Sequence, residues 1–139
     1  MSSYKMIKQA INRKFPEIGI EDSMKTAIKL MAQANVSVLA VKANGELVGI
    51  MTVSDVMHGI ANDYDLEQTK IKTFMTECKI DGTSDSGKLC IQLDETQDAI
   101  SAVKVMYEGG INHLLVSGTG KEVIGIVSSL DLVKLIADD

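Results

Sequence analysis

Apolar residues recur at two spacings along the chain, and the two spacings alternate. Within 24–34 they fall three or four positions apart, the period of an amphipathic helix, at Met24, Ala27, Ile28 and Met31. A run rich in β-branched residues follows at 36–41 and predicts a strand. The Asn-Gly pair at 44–45 predicts a hairpin turn, because both residues tolerate positive φ. A second strand at 46–52 and a second helix at 54–61 complete this unit.

The same order of elements then occurs a second time. Ala-Ile-Lys-Leu-Met at 27–31 is matched by Ala-Val-Lys-Val-Met at 102–106, an offset of 75. After one inserted residue, 49–55 matches 125–131. In the second unit, apolar residues at the same spacing predict the first helix: Ala99, Ala102, Val103 and Met106. Its later elements are expected as strands at 111–116 and 122–128 and a helix at 129–137.

A short strand is also expected before the first helix of each unit, at 17–18 and at 89–93. The prediction is therefore an α+β fold of two β-α-β-β-α repeats. One repeat has too few strands to bury its apolar face alone, so we expect the two to pack sheet to sheet with pseudo-twofold symmetry. The expected divisions are an N-terminal helix at 1–14, a first repeat at 15–76 and a second repeat at 77–139. The N-terminal helix would carry Tyr4, Ile7 and Ile11 on one face.

Composition narrows the class of protein. The 139 residues are 45% apolar and carry a net charge of −5 with no long basic run, which argues against nucleic-acid binding. The first residues suit neither a signal peptide nor a membrane span, so a cytoplasmic protein is expected. In that setting Cys78 and Cys90 are expected to be reduced thiols. Two histidines without paired cysteine spacing predict no metal site.

Both halves carry one motif at the point where the second strand meets the second helix. It is Gly-Ile-x-[Thr/Ser]-x-x-Asp, at 49–55 and 125–131. A helix start presents unpaired N–H groups and the positive end of the helix dipole, so phosphates bind there readily. A Thr or Ser hydroxyl at this junction can donate to a phosphate oxygen. An Asp three residues later can accept hydrogen bonds from a ribose diol.

A purely structural role is the alternative. Ser54, Ser129 and the two aspartates can serve as helix caps or as acids that offset the dipole. Gly49 and Gly125 can simply let strands pass closely. The duplication of hydroxyl and acid at a constant spacing favours the ligand-binding interpretation.

In these residues the chain resembles a tandem pair of CBS (cystathionine β-synthase) domains, the Bateman module. The resemblance covers about residues 15–139 and rests on the Ala-x-x-x-Met helix, the Val/Ile-x-x-Leu-x-Val strand and the motif above. It implies a regulatory module that binds AMP, ADP, ATP or S-adenosylmethionine in interdomain clefts, without catalysis and without a required cofactor. The chain departs from the family's Leu-Pro-Val strand, with Ala40 and Leu115 in place of proline.

The resemblance also implies roles for single positions. In the family the motif Asp holds the ribose hydroxyls, the Thr or Ser meets the phosphate, and the neighbouring strands hold the adenine. The residues thereby expected at the first site are Thr52, Asp55, Ile18, Ser37 and Val38. Those expected at the second site are Ser128, Asp131, Gln92, Asn112 and His113. A protonated His113 would bind a phosphate more tightly, which ranks the second site first for a charged ligand; an exposed strand residue is the alternative.

Two other functions stay open beside ligand sensing. One is a ligand-free scaffold of the same fold that dimerises or docks onto an unknown regulated protein. The other is a small enzyme, disfavoured because two scattered histidines give no nucleophile–base pair. A P-loop-like stretch at 82–88 is rejected, because Leu89 stands where a magnesium-binding Ser or Thr is required.

The resemblance further implies a homodimer through the repeat helices, and a C2 dimer is the commonest closed assembly. The apolar residues expected on that face are Val56, Met57, Ile60, Leu132, Val133 and Ile136. Cover by the N-terminal helix within one chain is the alternative.

Overall fold

A computed structural model describes residues 5–12, 15–78, 90–120 and 122–138. The chain separates into two compact units. Residues 16–90 form the first-repeat unit, and residues 1–15 together with 91–139 form the second-repeat unit. None of the helices in the described ranges is long and apolar enough to cross a membrane.

The first-repeat unit is built on a four-stranded sheet with strand order β1-β2-β3-β4. Its elements in chain order are β1 (Glu17–Gly19), α1 (Met24–Ala34), β2 (Val38–Ala43), β3 (Glu46–Thr52), α2 (Val53–Ala61) and β4 (Thr76–Glu77). Strand β1 runs parallel to β2, and the other pairs are antiparallel. The β2–β3 turn has φ values of 53° at Asn44 and 80° at Gly45, as the Asn-Gly pair predicts.

Helix α1 lies over this sheet because its apolar stripe is buried while its other face is polar. Its N-cap is Ser23, whose hydroxyl accepts from the N–H of Thr26 at 3.1 Å. The helix ends at Asn35, which adopts the left-handed conformation with φ 54°. The core beneath it contains aliphatic and methionine side chains of the helix and strands, among them Met24, Ala27, Met31, Leu39, Val41 and Met51.

The second-repeat unit repeats this plan on a three-stranded sheet of order β5-β6-β7. Its elements are β5 (Gln92–Asp94), α3 (Ala99–Gly109), β6 (His113–Ser117), β7 (Val123–Ser128) and α4 (Ser129–Ala137). Strand β5 is parallel to β6, and β6 is antiparallel to β7. The α+β class with two small sheets and four helices is therefore confirmed.

Each sheet also pairs with a segment from outside its own repeat. The segment before the first repeat pairs with the second-repeat sheet, and the segment before the second repeat pairs with the first-repeat sheet. We name residues 5–12 the N-terminal strap and residues 70–78 the middle strap. In the second-repeat unit, Asn12 and Ile126 exchange two backbone hydrogen bonds of 3.0 and 3.2 Å. In the first-repeat unit, Thr76 pairs with Ile50, the residue that matches Ile126 in the repeat.

The N-terminal strap differs from the expected helix at 1–14. Its described residues form one short 3-10 turn, Ile7–Gln9, and Tyr4 lies outside them. The backbone explains the difference, because the N–H of Ile7 donates to Gln97 O at 2.9 Å and that of Lys8 to Glu95 O at 3.0 Å. These bonds replace the intrahelical ones, and Ile7 is fully buried in the core of the second-repeat unit.

The expectation of two reduced thiols is wrong for this structure. Cys78 and Cys90 form a disulfide, with Cα atoms 5.1 Å apart. The signal for reduced cysteines was the apparent cell compartment, whereas the pairing comes from the fold. Strand β4 carries Cys78 to the edge of the first-repeat sheet, next to Cys90. The P-loop-like stretch at 82–88 lies outside the described residues.

The apolar helix face also differs in part from the expected set. Val56 is 7% exposed and Leu132 is fully buried, so both belong to the cores of their units. The large apolar side chains left exposed on α2 and α4 are Val53, Met57, Ile60, Leu130 and Val133. Met57, Ile60 and Val133 of the expected set are thus exposed, and Ile136 is half-buried. Val56 and Leu132 lie instead on the buried stripe of each helix, which the apolar pattern alone does not separate from the exposed residues.

Candidate functional site

The first corner, residues 52–55, joins β3 to α2. Thr52 is the N-cap of α2, and its hydroxyl accepts from the N–H of Asp55 at 3.2 Å. In return, the carboxylate of Asp55 accepts from the N–H of Thr52 at 3.0 Å. This reciprocal pair is a capping box, which satisfies two backbone donors at the helix start.

The second corner, residues 128–131, has the same geometry at the start of α4. The Ser128 hydroxyl accepts from the N–H of Asp131 at 3.1 Å, and the Asp131 carboxylate accepts from the N–H of Ser128 at 3.0 Å. A capping box itself needs a hydroxyl and an acceptor three residues apart. The duplicated spacing therefore does not distinguish capping from ligand binding, and the cap residues are Thr52 and Ser128 rather than Ser54 and Ser129.

The surroundings of the two carboxylates do distinguish the corners. Asp55 is only 4% exposed, and the Thr76 hydroxyl donates to its two oxygens at 3.3 and 3.5 Å. Asp131 is half-buried instead and lines an open depression of about 230 Å³. The other residues around this depression are Gln9, Ala10, Lys134, Leu135 and Asp138. Because an ionised carboxylate offers about four acceptor positions, Asp131 can cap its helix and still accept from a ligand.

Two of the three strand residues expected at the first site lie beside the first corner. Val38 pairs with Thr52 across the β2–β3 ladder. The carbonyl of Ser37 accepts from the N–H of Val53 at 3.1 Å. Ile18 does not join them, because it pairs with Val41 on β1 and is buried in the apolar core at 4% exposure.

The second corner has the corresponding neighbours. His113 pairs with Ser128 across β6 and β7, and the carbonyl of Asn112 accepts from the N–H of Ser129 at 2.9 Å. Gln92 is exposed on β5, where it pairs with Leu115. The strand registers show that Gln92 matches Glu17 of the first repeat and not Ile18. Ile18 and Gln92, the β1 and β5 residues expected near adenine at the two sites, therefore do not occupy equivalent positions.

His113 is the titratable neighbour of the second corner. Burial lowers the pKa of His113 below its usual value of 6.5, and the negative charge of Asp131 opposes part of that shift. This lowered pKa favours the neutral form of the imidazole. A neutral ring can donate one hydrogen bond and accept another, but it supplies no positive charge for a phosphate.

The sequence missed several residues around these corners. Thr76, 5% exposed, gave no signal, because its contact with Asp55 depends on the long-range pairing of β4 with β3. Gln9 and Ala10 come from the N-terminal strap, which local periodicity assigned to a helix. Lys134 was detectable, since it stands one helical turn after Asp131. Within the described residues, no group of three or more His, Cys, Asp or Glu side chains could hold a metal ion.

Comparison with known proteins identifies the family. The family model of the CBS domain matches residues 7–62 and 90–138, which is most of the chain and covers both repeats. The chain belongs to the CBS domain family. The two matched regions correspond to the tandem arrangement of a CBS pair.

Solved CBS structures share this fold. A conserved CBS domain protein of unknown function from Thermoplasma acidophilum is 19% identical, with a TM-score of 0.80 over 95% of this chain and 69% of that one. The CBS domain pair of protein MJ0100, solved with 5′-methylthioadenosine and S-adenosyl-L-methionine, is 21% identical. Its TM-score is 0.76 over 97% of this chain and 98% of that chain.

Among curated sequences, a homoserine O-acetyltransferase from Methanococcus vannielii is 28% identical over 137 residues. The alignment takes in 96% of this CBS pair but 25% of that relative. The chain spans less than half the length of the curated relatives it matches.

Proposed function

We propose that this CBS pair is a regulatory module that binds an adenosine-containing small molecule, such as AMP, ADP, ATP or S-adenosylmethionine, and performs no catalysis on it. The observation that carries the proposal is the half-buried Asp131 carboxylate on the open depression of the second-repeat unit. Family membership supports the regulatory role. The MJ0100 pair, solved with two adenosyl compounds, supports the ligand class.

Chemistry at the second corner suits the sugar of such a ligand. A ribose diol offers two O–H donors, and Asp131 has acceptor positions beyond the one used by the Ser128 N–H. The start of α4 adds the positive end of a helix dipole. The first corner is less suited in this state, because the carboxylate of Asp55 is buried and bonded to the Thr76 hydroxyl.

Binding of this kind requires no nucleophile or general base. The acetyltransferase relative carries its reaction in its name, but three quarters of its length lies beyond the match to this chain. We therefore assign the module to sensing. Release of phosphate or another product from a bound nucleotide would overturn this part of the proposal.

The direct test is calorimetric titration with AMP, ADP, ATP, S-adenosylmethionine and 5′-methylthioadenosine. Asp131→Asn keeps an oxygen that can accept from the Ser128 N–H, but it removes the charge that attracts the diol. We expect at least a tenfold loss of affinity for the best ligand. A matched control is Asp98→Ala, which removes the N-cap of α3 without touching the second corner. Equal affinity in Asp131→Asn and wild type would contradict the proposed site.

A second candidate function is a ligand-free dimerisation or protein-interaction scaffold. The exposed apolar side chains of α2 and α4, among them Met57 at 61% and Leu130 at 60%, favour it. Sedimentation analysis of Met57→Glu and Leu130→Glu tests it. A dimer that dissociates in these variants, together with no binding in the ligand titrations, would favour the scaffold.

A further inference from the structure

We propose that the Cys78–Cys90 disulfide is a redox-controlled latch on the first corner. In the oxidised protein the disulfide holds the end of the middle strap on β3, so that Thr76 covers the Asp55 carboxylate. Its reduction exposes this carboxylate to ligand. The ligand part of this inference rests on the proposed function, whereas the latch itself does not.

A short chain of contacts connects the disulfide to the carboxylate. The N–H of Cys78 donates to the carbonyl of Val48 at 3.0 Å, which continues the β3–β4 ladder beyond Glu77. Two residues earlier, the Thr76 hydroxyl donates to Asp55. In residues 76–78, the last residue therefore forms the disulfide and the first donates the hydrogen bond to the Asp55 carboxylate.

Besides the disulfide, this segment is held by its short pairing with β3 and by the hydrogen bond of the Thr76 hydroxyl to Asp55. Strand β4 is two residues long, and such a short edge pairing opens readily by itself. Ile71, Phe74 and Met75 are buried in the core of the first-repeat unit, so they anchor the strap up to residue 75. Loss of the disulfide is thus expected to loosen residues 76–78 and leave the earlier part of the strap in place.

The second corner has no such latch. The N-terminal strap pairs with Ile126 through Asn12, as the middle strap pairs with Ile50 through Thr76. No cysteine occurs in residues 1–15, so the N-terminal strap cannot be tethered in the same way. Redox control is therefore specific to the first corner, although the two corners share the same capping box.

Burial indicates how the bond opens. Cys78 is half-buried while Cys90 is 3% exposed, so Cys78 is the more accessible residue of the pair, and we take its sulfur as the point of attack. A thiolate of a dithiol reductant attacks Cys78 Sγ, and Cys90 leaves as a thiolate and takes a proton. The second thiol of the reductant then attacks the reductant sulfur that is bonded to Cys78 in the mixed disulfide, and Cys78 is released as a thiol. The protein gains two electrons and two protons, and the reductant becomes a cyclic disulfide.

Native-state hydrogen exchange with and without dithiothreitol tests the latch. On reduction we expect the amides of Thr52 and Asp55 to exchange at least tenfold faster, while those of Ser128 and Asp131 change less than twofold. A Cys78→Ser, Cys90→Ser double variant should exchange like the reduced protein and ignore the reductant. Thr76→Val keeps the disulfide but removes the hydroxyl, and it should raise exchange at the first corner alone.

Unchanged exchange at the first corner on reduction, or equal acceleration at both corners, would overturn the latch. So would a failure of thiol alkylation to show reversible oxidation of the two cysteines. A titration with 5′-methylthioadenosine separates this from the proposed function. We expect one molecule per oxidised chain and two per reduced chain; a stoichiometry fixed at one would overturn control of ligand binding. No binding in either state, with the exchange response intact, would contradict the proposed function and support the latch.

Discussion

The two corners carry the same capping box but present their acids differently. Thr52 with Asp55 and Ser128 with Asp131 make reciprocal bonds whose lengths agree within 0.1 Å. Yet Asp55 is buried under the hydroxyl of Thr76, and Asp131 lines an open depression. Local sequence sets the cap, and the strap that lies over the corner sets whether the acid remains accessible.

This difference shows why a repeated motif need not have a repeated function. A carboxylate that caps a helix can still accept further hydrogen bonds. Long-range contacts determine whether another protein group donates to it or whether it stays available to a ligand. In the first-repeat unit a protein hydroxyl uses it. In the second-repeat unit part of the carboxylate surface remains exposed, which is why the proposed ligand is assigned there.

The largest expected effect comes from the glycine beneath each strap. A Cβ at Gly49 would overlap the carbonyl oxygen of Thr76, whereas one at Gly125 would meet the Ile11 side chain and the Asn12 carbonyl. We expect Gly49→Ala to lower the free energy of unfolding by about 3 kcal/mol and Gly125→Ala by about 2 kcal/mol, within the range of overpacking costs. The first is larger because its strap is tethered and cannot lift. Urea denaturation measures both, and the reverse order would contradict the tether.

Removing each acid should give the next largest effect. Asp55→Ala leaves the Thr76 hydroxyl and the Thr52 N–H without their carboxylate, so we expect a cost of about 2 kcal/mol. Asp131→Ala loses only a cap at an accessible site, so about 1 kcal/mol is expected. The same urea experiment compares them, with Asp55→Asn and Asp131→Asn as cap-preserving controls. Equal costs would mean that burial does not separate the two corners.

The smallest expected effect concerns pH, because His113 stands where the first repeat has Val38. Burial holds the pKa of His113 below its usual value, so the unfolded chain binds more protons between the two values. Its contribution to stability is complete above about pH 6.5, the unperturbed value, and falls as the pH drops towards the folded-state pKa. Thermal melting at pH 7 and pH 5 should show a smaller decrease in His113→Gln than in wild type. The exposed His58→Gln serves as the control, and an equal decrease in all three proteins would contradict the assignment.

Much of the fold was predictable from the sequence, because local pattern determines it. The helix expected at 24–34 is α1, and the hairpin turn lies at Asn44 and Gly45 as expected. The straps were not predictable in the same way. The sequences of the two straps have few amino acids in common. Their common role therefore appears only in the structure, where one pairs with Ile126 and the other with Ile50.

The candidate site was predictable only in its local part. The capping residues belong to a motif of seven residues. Their strand neighbours lie outside it and were expected only from the family resemblance. Ile18 lies in the apolar core rather than beside the first corner, because a weakly marked strand does not show which of its side chains enters the core. Thr76 and the Cys78–Cys90 bond depend on contacts between distant segments, for which a single sequence holds no local signal.

The most direct test of this account is an amide NMR titration of the oxidised, isotope-labelled protein with 5′-methylthioadenosine and S-adenosylmethionine. The account predicts shifts that begin at Ser128, Asp131 and their neighbour His113, with the amides of Thr52 and Asp55 unchanged until the disulfide is reduced. Shifts that begin at the first corner of the oxidised protein, or that are equal at both, would contradict it.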